Sequence, residues 1–356
     1  MLIAGGGVLL ANVQATFAVP LMAGLRLGWV SALDLARQIG GVVFIVLFIV
    51  AGAQLLPFLA TPAIEAAIVL VPTALLVRSD IPLRPLFAPA DWRELIKPVL
   101  TYSIAVAAAT LYFRVALVFV SLLASRRELG YFSLSFRIVE VLFAIPGLLV
   151  GAAFPIFARA ARDDPERFGY AMSRVFEVLL IAGAWVALSL AVGSSLAIDV
   201  MGGRAFAPAA PILAIQALGL GAAFVSAVWA YAMLSLHLHR MILGLSLAAI
   251  VGIAAAVAVL AGADGARGAA IATAGVEIVM AIVTPVLLVR GRPHLRPRLA
   301  IVPKVALAAL LGASPLLATE VPVAVHVLLS TLVYGIVLLA LRAFPCELEA
   351  LVRRRD

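Results

Sequence analysis

The chain is a succession of long apolar runs separated by short polar stretches. The runs lie near 2–20, 38–55, 57–77, 99–122, 131–157, 174–196, 211–235, 241–262, 268–289, 301–319 and 322–341. Most approach the roughly 20 residues that an α-helix needs to cross a bilayer. A transmembrane strand would be about ten residues of alternating pattern, and these runs are continuously apolar. The pattern therefore predicts an all-α, polytopic membrane protein with about eleven transmembrane helices. Prolines inside the runs (Pro72, Pro146, Pro155, Pro285) fit this reading, because membrane helices tolerate them. Thr61-Pro62 reads as a cap followed by proline at the first helical position. Glu65 then falls in a first turn, where the helix dipole favours an acid.

Composition strengthens this picture. Of 356 residues, 65% are hydrophobic and 12% charged, where a soluble domain has about 45–50% and 25%. The mean hydropathy is +1.18. These values exclude a cytosolic enzyme, a secreted disulfide scaffold and a nucleic-acid-binding module. Cys346, the single cysteine, excludes an intramolecular disulfide and a cysteine metal cage.

The net charge of +8 acquires meaning when it is counted by loop. Segments 21–37, 78–98, 158–174, 236–240, 290–304 and 342–356 hold 20 Lys and Arg, whereas the alternating segments hold 4. Positive loops face the cytoplasm, which predicts a cytoplasmic C-terminus and an external Met1. Met1 opens into an apolar run with neither a basic flank nor a cleavage site, so this run is expected to be a span and not a signal peptide. A first helix entering from outside without preceding charge suggests an odd number of helices upstream of this sequence.

Two basic linkers divide the runs into groups of three, six and two. The first, between Arg78 and Pro98, contains Pro82, Pro85 and Pro89; the second is Arg290–Arg298. The expected segments are 1–78, 79–98 (a cytoplasmic linker), 99–290 and 291–356. No soluble domain is expected.

Motifs of covalent chemistry are missing. There is no phosphate loop, no Gly-x-Ser-x-Gly and no His-Glu-x-x-His. His237 and His239 beside Arg240 read as solvated loop residues. Asp163-Asp164 reads as a charged turn capping the next helix, in preference to a diphosphate–metal site. Gly262–Gly268 reads as a short turn between two spans. No enzyme, cofactor or metal site is expected.

Four ionisable residues lie well inside runs: Arg114, Arg137, Glu140 and Glu277. An arginine at mid-membrane costs about 2.5–3.5 kcal/mol, so intramembrane charges face water-filled cavities or partners and are functional candidates. Each sits on a small-polar helical seam. The seams are Ser103, Ala107, Thr110, Arg114 and Ser121; Ser133, Arg137, Glu140, Ala144, Gly147 and Gly151; and Thr273, Glu277, Ala281 and Thr284. Three such seams resemble the walls of a lumen. The competing reading is structural: Arg137 and Glu140 are i, i+3 neighbours able to neutralise each other, and small residues also serve helix packing. Arg114 has no acid on its own helix and needs a partner elsewhere. Glu177, near its expected helix start, reads as an interfacial acid.

Three ordered motifs carry a resemblance. They are Gly130-Tyr-Phe-Ser-Leu-Ser-Phe-Arg-Ile-Val-Glu140 followed by Ile145-Pro-Gly-Leu-Leu-Val-Gly-Ala-Ala-Phe-Pro155, then Gly202-Gly-Arg-Ala-Phe-Ala-Pro-Ala-Ala-Pro-Ile-Leu213, and Gly265-Ala-Arg-Gly-Ala-Ala-Ile-Ala-Thr-Ala-Gly-Val-Glu277. Together they resemble the polysaccharide flippase branch of the multidrug/oligosaccharidyl-lipid/polysaccharide exporter superfamily. The resemblance implies two six-helix lobes, often with two extra helices. On that scheme 99–290 is a complete second lobe, 291–356 carries the extra pair, and 1–78 holds three helices of the first lobe. Ala116 departs from the Arg-x-Asp pattern often found in the family, which leaves the balancing of Arg114 open.

The implied function is translocation of an undecaprenyl-pyrophosphate-type lipid-linked glycan across the bacterial inner membrane, by alternating access, for polysaccharide or lipopolysaccharide synthesis. Arg114 and Arg137 are expected to bind the pyrophosphate, since guanidinium stays charged and matches phosphate oxygens. Glu140 and Glu277 are candidates for coupling to a proton or sodium. The alternatives are a cation-coupled multidrug exporter, which gains little from two arginines, a membrane glycosyltransferase or polymerase, which needs larger external loops, and an inactive truncated remnant.

Overall fold

The computed structural model describes residues 2–23, 26–78, 92, 96, 100, 103, 110–112, 114–317 and 321–343. They form α1 (Leu2–Ala23), α2 (Leu27–Val50), α3 (Leu55–Val77), α4 (Thr110–Leu123, position 113 apart), α5 (Arg126–Leu142), α6 (Ala144–Asp163) and α7 (Pro165–Val192). There follow α8 (Ser194–Gly202), α9 (Ala210–Ser235), α10 (His239–Gly291), α11 (Ile301–Gly312) and α12 (Val323–Ala340). Short 3-10 turns occupy Arg204–Ala209, Pro293–Leu295 and Ser314–Leu317. No strand occurs among the described residues.

Among the described residues seven helical stretches are long and apolar enough to cross a membrane: α2, α3, α5 continued into α6 as far as Gly151, α7, α9 with the 3-10 turn before it, α10 and α12; α1, α4 and α11 carry shorter apolar segments. The 53-residue α10 is two helices in one: Asp264 and Gly265 leave helical geometry, with Gly265 at φ 51°. A left-handed residue is where glycine serves best. The side-chain carboxylate of Glu128 also lies where a Cβ at 265 would project. The all-α polytopic architecture is as expected, and the Gly262–Gly268 turn falls where the sequence puts it.

The chain divides into two compact units, 1–98 and 99–356. In the first, α3 packs against both α1 and α2. Leu21, Leu33, Val69 and Val77 form its buried centre. Gly7 permits the close approach of α1 and α3, since a Cβ there would stand 2.9 Å from the Ala63 nitrogen.

In the second unit α9 is the hub, packed on α5, α6, α7 and α10. One core gathers Phe157, Phe168, Met172, Phe224 and Trp229 with Val305 and Leu338 of the last two helices. The other joins Val115, Val120, Phe132, Ile253, Val257 and Ala269. Glycines bring backbones together where helices cross: a Cβ at Gly183 of α7 would lie 2.7 Å from Phe224 Cβ and 2.9 Å from the Gly221 oxygen, both on α9. Close crossings of this kind supply van der Waals packing, which drives helix association in lipid. The Arg290–Arg298 linker is anchored, with Leu295 fully buried and the Arg298 N–H donating to Ser173 Oγ at 3.3 Å. Lys304 donates to the Leu341 carbonyl at 2.9 Å, satisfying an orphan acceptor at the end of α12.

Several boundaries differ from the sequence reading, each for a local reason. Helix α3 begins at Leu55, with Pro57 in its first turn, where a missing N–H costs nothing. Pro62 is therefore interior, and Glu65 lies in the body of α3 against Gly41 of α2, not in a first turn. Helix α2 starts at Leu27, well before 38, and its polar opening carries an Asp34–Arg37 ion pair at 3.5 Å. The run expected over 131–157 is split at Phe143. Pro146 has no N–H to donate to the Leu142 carbonyl, so the ladder breaks there.

Helix α7 starts at Pro165, one residue after an Asp164 cap whose Oδ1 accepts from Glu166 N (3.1 Å) and Arg167 N (3.0 Å). This is the capping turn expected for Asp164. The earlier start carries Glu177 some three turns into the helix. There it is buried at 6% exposure and paired with Arg174 at 2.8 Å, so it does not lie in a first turn.

Candidate functional site

The charged site is built where α4 meets α5. A reciprocal cap fixes the start of α5: Ser125 Oγ accepts from the Glu128 N–H at 3.3 Å, and Glu128 Oε2 accepts from the Ser125 N–H at 3.0 Å. From that start Arg137 and Glu140, three residues apart, share a face. Glu140 Oε2 accepts from Arg137 Nη1 at 3.0 Å, and its Oε1 accepts from Arg114 Nη2 of α4 at 2.8 Å. One carboxylate thus holds two guanidinium groups, one on each oxygen.

Glu140 is the partner that Arg114 lacks on its own helix, where Ala116 is buried in apolar surroundings. Local neutralisation of Arg137 by Glu140 is real but insufficient, because the same acid also serves Arg114. The trio keeps a net positive charge. Its arginine side chains are 48% (Arg114) and 66% (Arg137) exposed, against 23% for Glu140. Each guanidinium directs one N–H at Glu140 and has others to offer an anion.

Glu277 belongs to a different part of the same unit. Tyr112, two residues before Arg114 and therefore about 200° around α4, donates its hydroxyl to Glu277 Oε1. A cavity of about 50 Å³ lies between the two acids and is lined by Tyr112, Glu140, Gln216, Thr273 and Glu277 with apolar neighbours. Gln216 of α9 is buried at 4% exposure, and neither its amide oxygen nor its nitrogen has a hydrogen-bond partner among the described residues. Thr273 is occupied, donating to the Ala269 and Ala270 carbonyls at 3.0 Å. On the far side Glu277 lines a second cavity of about 320 Å³ with Ser226, Tyr231, Ser246 and Thr284.

The structure thus unites Arg114, Arg137 and Glu140 directly, and links Glu277 to them only through a cavity. Tyr112 and Gln216 escaped the sequence reading. The available signals were a tyrosine beside an intramembrane arginine and a lone amide inside an apolar run. Parts of the three seams do other work. Tyr231 donates to the Gly147 carbonyl at 3.2 Å, Ser121 donates to its own helix at Val118, and Thr284 is buried. Ala107, Cys346 and the side chains of Asp163 and His294 lie outside the described residues. His237 and His239 are exposed, and no cluster suited to a metal occurs among the described residues.

Fold and site together describe a multi-pass helical membrane protein with a cationic, partly exposed charge cluster in its larger unit. Among solved structures the fold is similar to that of the lipid II flippase MurJ in an inward closed conformation. The match has a TM-score of 0.77 and 14% identity over 94% of this chain and 72% of that one. At that identity the likeness is one of fold. No family model matches the chain, and no curated protein sequence does.

Proposed function

We propose that the chain translocates a polyprenyl-pyrophosphate-linked oligosaccharide across a bacterial inner membrane for polysaccharide or lipopolysaccharide synthesis. The observation that carries this reading is the convergence of Arg114 and Arg137 on the single carboxylate of Glu140. The cluster is short of one negative charge, and a diphosphate would supply it. Its oxygens suit the planar donor forks of two arginines, and such charge-assisted hydrogen bonds are roughly twice as strong as neutral ones. Glu140 then competes with the substrate for both cations, so a bound anion displaces it without leaving the arginines unpaired. The similarity in fold to a lipid-linked flippase supports the same substrate class.

In this reading 99–290 is the second lobe, 1–78 part of the first and 291–356 an accessory pair, with the C-terminus cytoplasmic as the loop charges indicate. Glu277 serves the coupling ion, and transport proceeds by alternating access about the cluster. A multidrug exporter would hold a cationic drug with acids, and a net-positive cluster disfavours it.

The test is complementation of a strain lacking its own flippase, read as surface polysaccharide, with membrane protein checked by blot. Arg137→Ala abolishes export, and Arg137→Lys restores it partly, because lysine keeps the charge and loses the fork. The double variant Arg137→Ala/Glu140→Ala fails as badly as the single. If that well-expressed double variant restores the polymer, the pair is structural and the substrate assignment is wrong.

A further inference from the structure

The basic linker after α10 has no task in the transport reading, and it is held more firmly than a connecting loop requires. No Asp or Glu occurs between Glu277 and Glu320, whereas Arg290, Arg292, Arg296, Arg298 and Lys304 all fall in that stretch. Lys304 is occupied by the Leu341 carbonyl. Arg290, Arg296 and Arg298 are exposed and Arg292 is half-buried, and no side chain of the four has an ion-pair partner among the described residues. Like charges packed this closely repel, and a chain carrying them ordinarily spreads into solvent. Here it is pinned. The 3-10 turn Pro293–Leu295 packs on α7 and on the end of α10. Leu295 is fully buried in the core that holds Phe168 and Met172, and the Arg298 N–H donates to Ser173 Oγ of α7 at 3.3 Å.

We propose that the strap Arg290–Leu299 is a docking surface for anionic phospholipid, with the phosphodiester of a phosphatidylglycerol headgroup against Arg296 and Arg298. The position of the strap selects a lipid over a soluble anion. It joins the end of α10, Gly291, to the start of α11, Ile301, so it lies where two apolar helices leave the hydrocarbon, at the level of the headgroups. Leu299, next to Arg298 and 64% exposed, gives it an apolar side chain to set among acyl chains. Its chemistry selects an anionic lipid over a zwitterionic one, because the strap has no acid to receive an ammonium group. Basic residues just outside a membrane helix draw anionic lipid, and the guanidinium fork matches phosphate oxygens in pairs. A signal that only fixes orientation needs positive charge in the loop. It needs neither a buried Leu295 nor a hydrogen bond to Ser173. The inference stands apart from the flippase reading and holds whatever the chain moves.

The experiment titrates the purified full chain, in uncharged detergent, with phosphatidylglycerol, phosphatidylcholine or inorganic phosphate. Bound lipid is counted by native mass spectrometry and the melting temperature is followed in parallel. Phosphatidylglycerol binds and raises the melting temperature, and the effect shrinks as salt rises. Phosphatidylcholine, whose ammonium group cancels the same phosphate charge, binds far more weakly, and inorganic phosphate leaves the melting temperature unchanged. Arg296→Gln/Arg298→Gln weakens phosphatidylglycerol binding about twenty-five-fold, at about fivefold for each basic residue beside an anionic surface. It retains Arg290 and Arg292 for orientation, and its lipid-free melting temperature stays at the wild-type value, because exposed side chains without partners contribute little to stability. Arg296→Lys/Arg298→Lys keeps every charge that topology reads and still weakens binding, since the planar fork is gone. Full affinity in the lysine variant reduces the strap to an orientation signal and overturns the site. Undiminished binding in the glutamine variant overturns it too, as does equal binding of the two lipids by the wild type. Equal stabilisation by inorganic phosphate replaces the lipid by a free anion and overturns the assignment as well.

Discussion

Glu140→Gln is the sharpest perturbation of the charge cluster. The substitution keeps shape and volume but replaces one acceptor oxygen by an NH2 group facing an arginine, and it removes the charge that both arginines share. The two contacts at 2.8 and 3.0 Å are charge-assisted, which when sheltered contribute about 1.5–3 kcal/mol each. Here both arginine side chains are about half exposed or more, so the exposed-pair scale of about 0.2–1 kcal/mol each applies. We therefore expect a stability loss of only about 1 kcal/mol from the pair.

Binding responds in the opposite direction. On the proposed reading, a diphosphate competes with Glu140 for both guanidinium groups in the wild type. In the variant that competition is gone, and so is the repulsion between carboxylate and anion. A gain of about 1–2 kcal/mol corresponds to roughly five- to thirtyfold tighter binding. On the same reading export should nevertheless fall, because release would depend on Glu140 reclaiming the arginines. The assay is equilibrium binding of undecaprenyl diphosphate to purified protein at two salt concentrations, paired with surface polysaccharide in cells. The difference between variant and wild type should shrink as salt rises, since these charges are partly solvent-screened. Equal or weaker binding by a folded Glu140→Gln protein would refute the idea that this acid opposes the substrate.

Two further outcomes test the fold. Gly183→Ala inserts a methyl into the α7–α9 crossing, 2.7 Å from Phe224 Cβ, and should cost about 1–3 kcal/mol as overpacking does; Gly244→Ala, with nothing within 4 Å, should not lower the melting temperature measured in detergent. For topology, a cysteine placed at 264 in the α10 turn should react with an impermeant reagent on intact cells while Cys346 stays unlabelled, and the reverse pattern would invert the orientation read from the loop charges.

The architecture was legible because lipid imposes it. With no water to satisfy backbone groups, long apolar runs have one economical solution, the helix, and hydropathy locates it. What hydropathy does not encode is where a helix begins beyond the apolar run. Asp164 and Pro165 start α7 about nine residues before its apolar run, and α2 opens through Asp34 and Arg37, because capping and ion pairing are local polar signals that an apolar count ignores. The same omission misplaced Glu65 and Glu177. Both were judged by distance from a supposed helix start, and both lie deeper than that start implied.

At the site, the sequence revealed the charges but not their pairing. Arg137 and Glu140 are close along one helix, so their contact follows from spacing, whereas Arg114 reaches Glu140 across 26 positions. That pairing depends on how α4 docks, which no local pattern records. It changes the chemistry: two separate questions, a self-neutralised pair and an unbalanced arginine, become one cluster with a deficit of one negative charge. Tyr112 and Gln216 are harder to recognise, since neither carries a charge and each sits inside an apolar run. Their significance comes from depth, where an amide without a partner is costly and a hydroxyl is found on a carboxylate. Gln216 lines the same cavity as Glu140 and Glu277, a placement that only the crossing of α9 with α5 and α10 creates and that no local sequence pattern records.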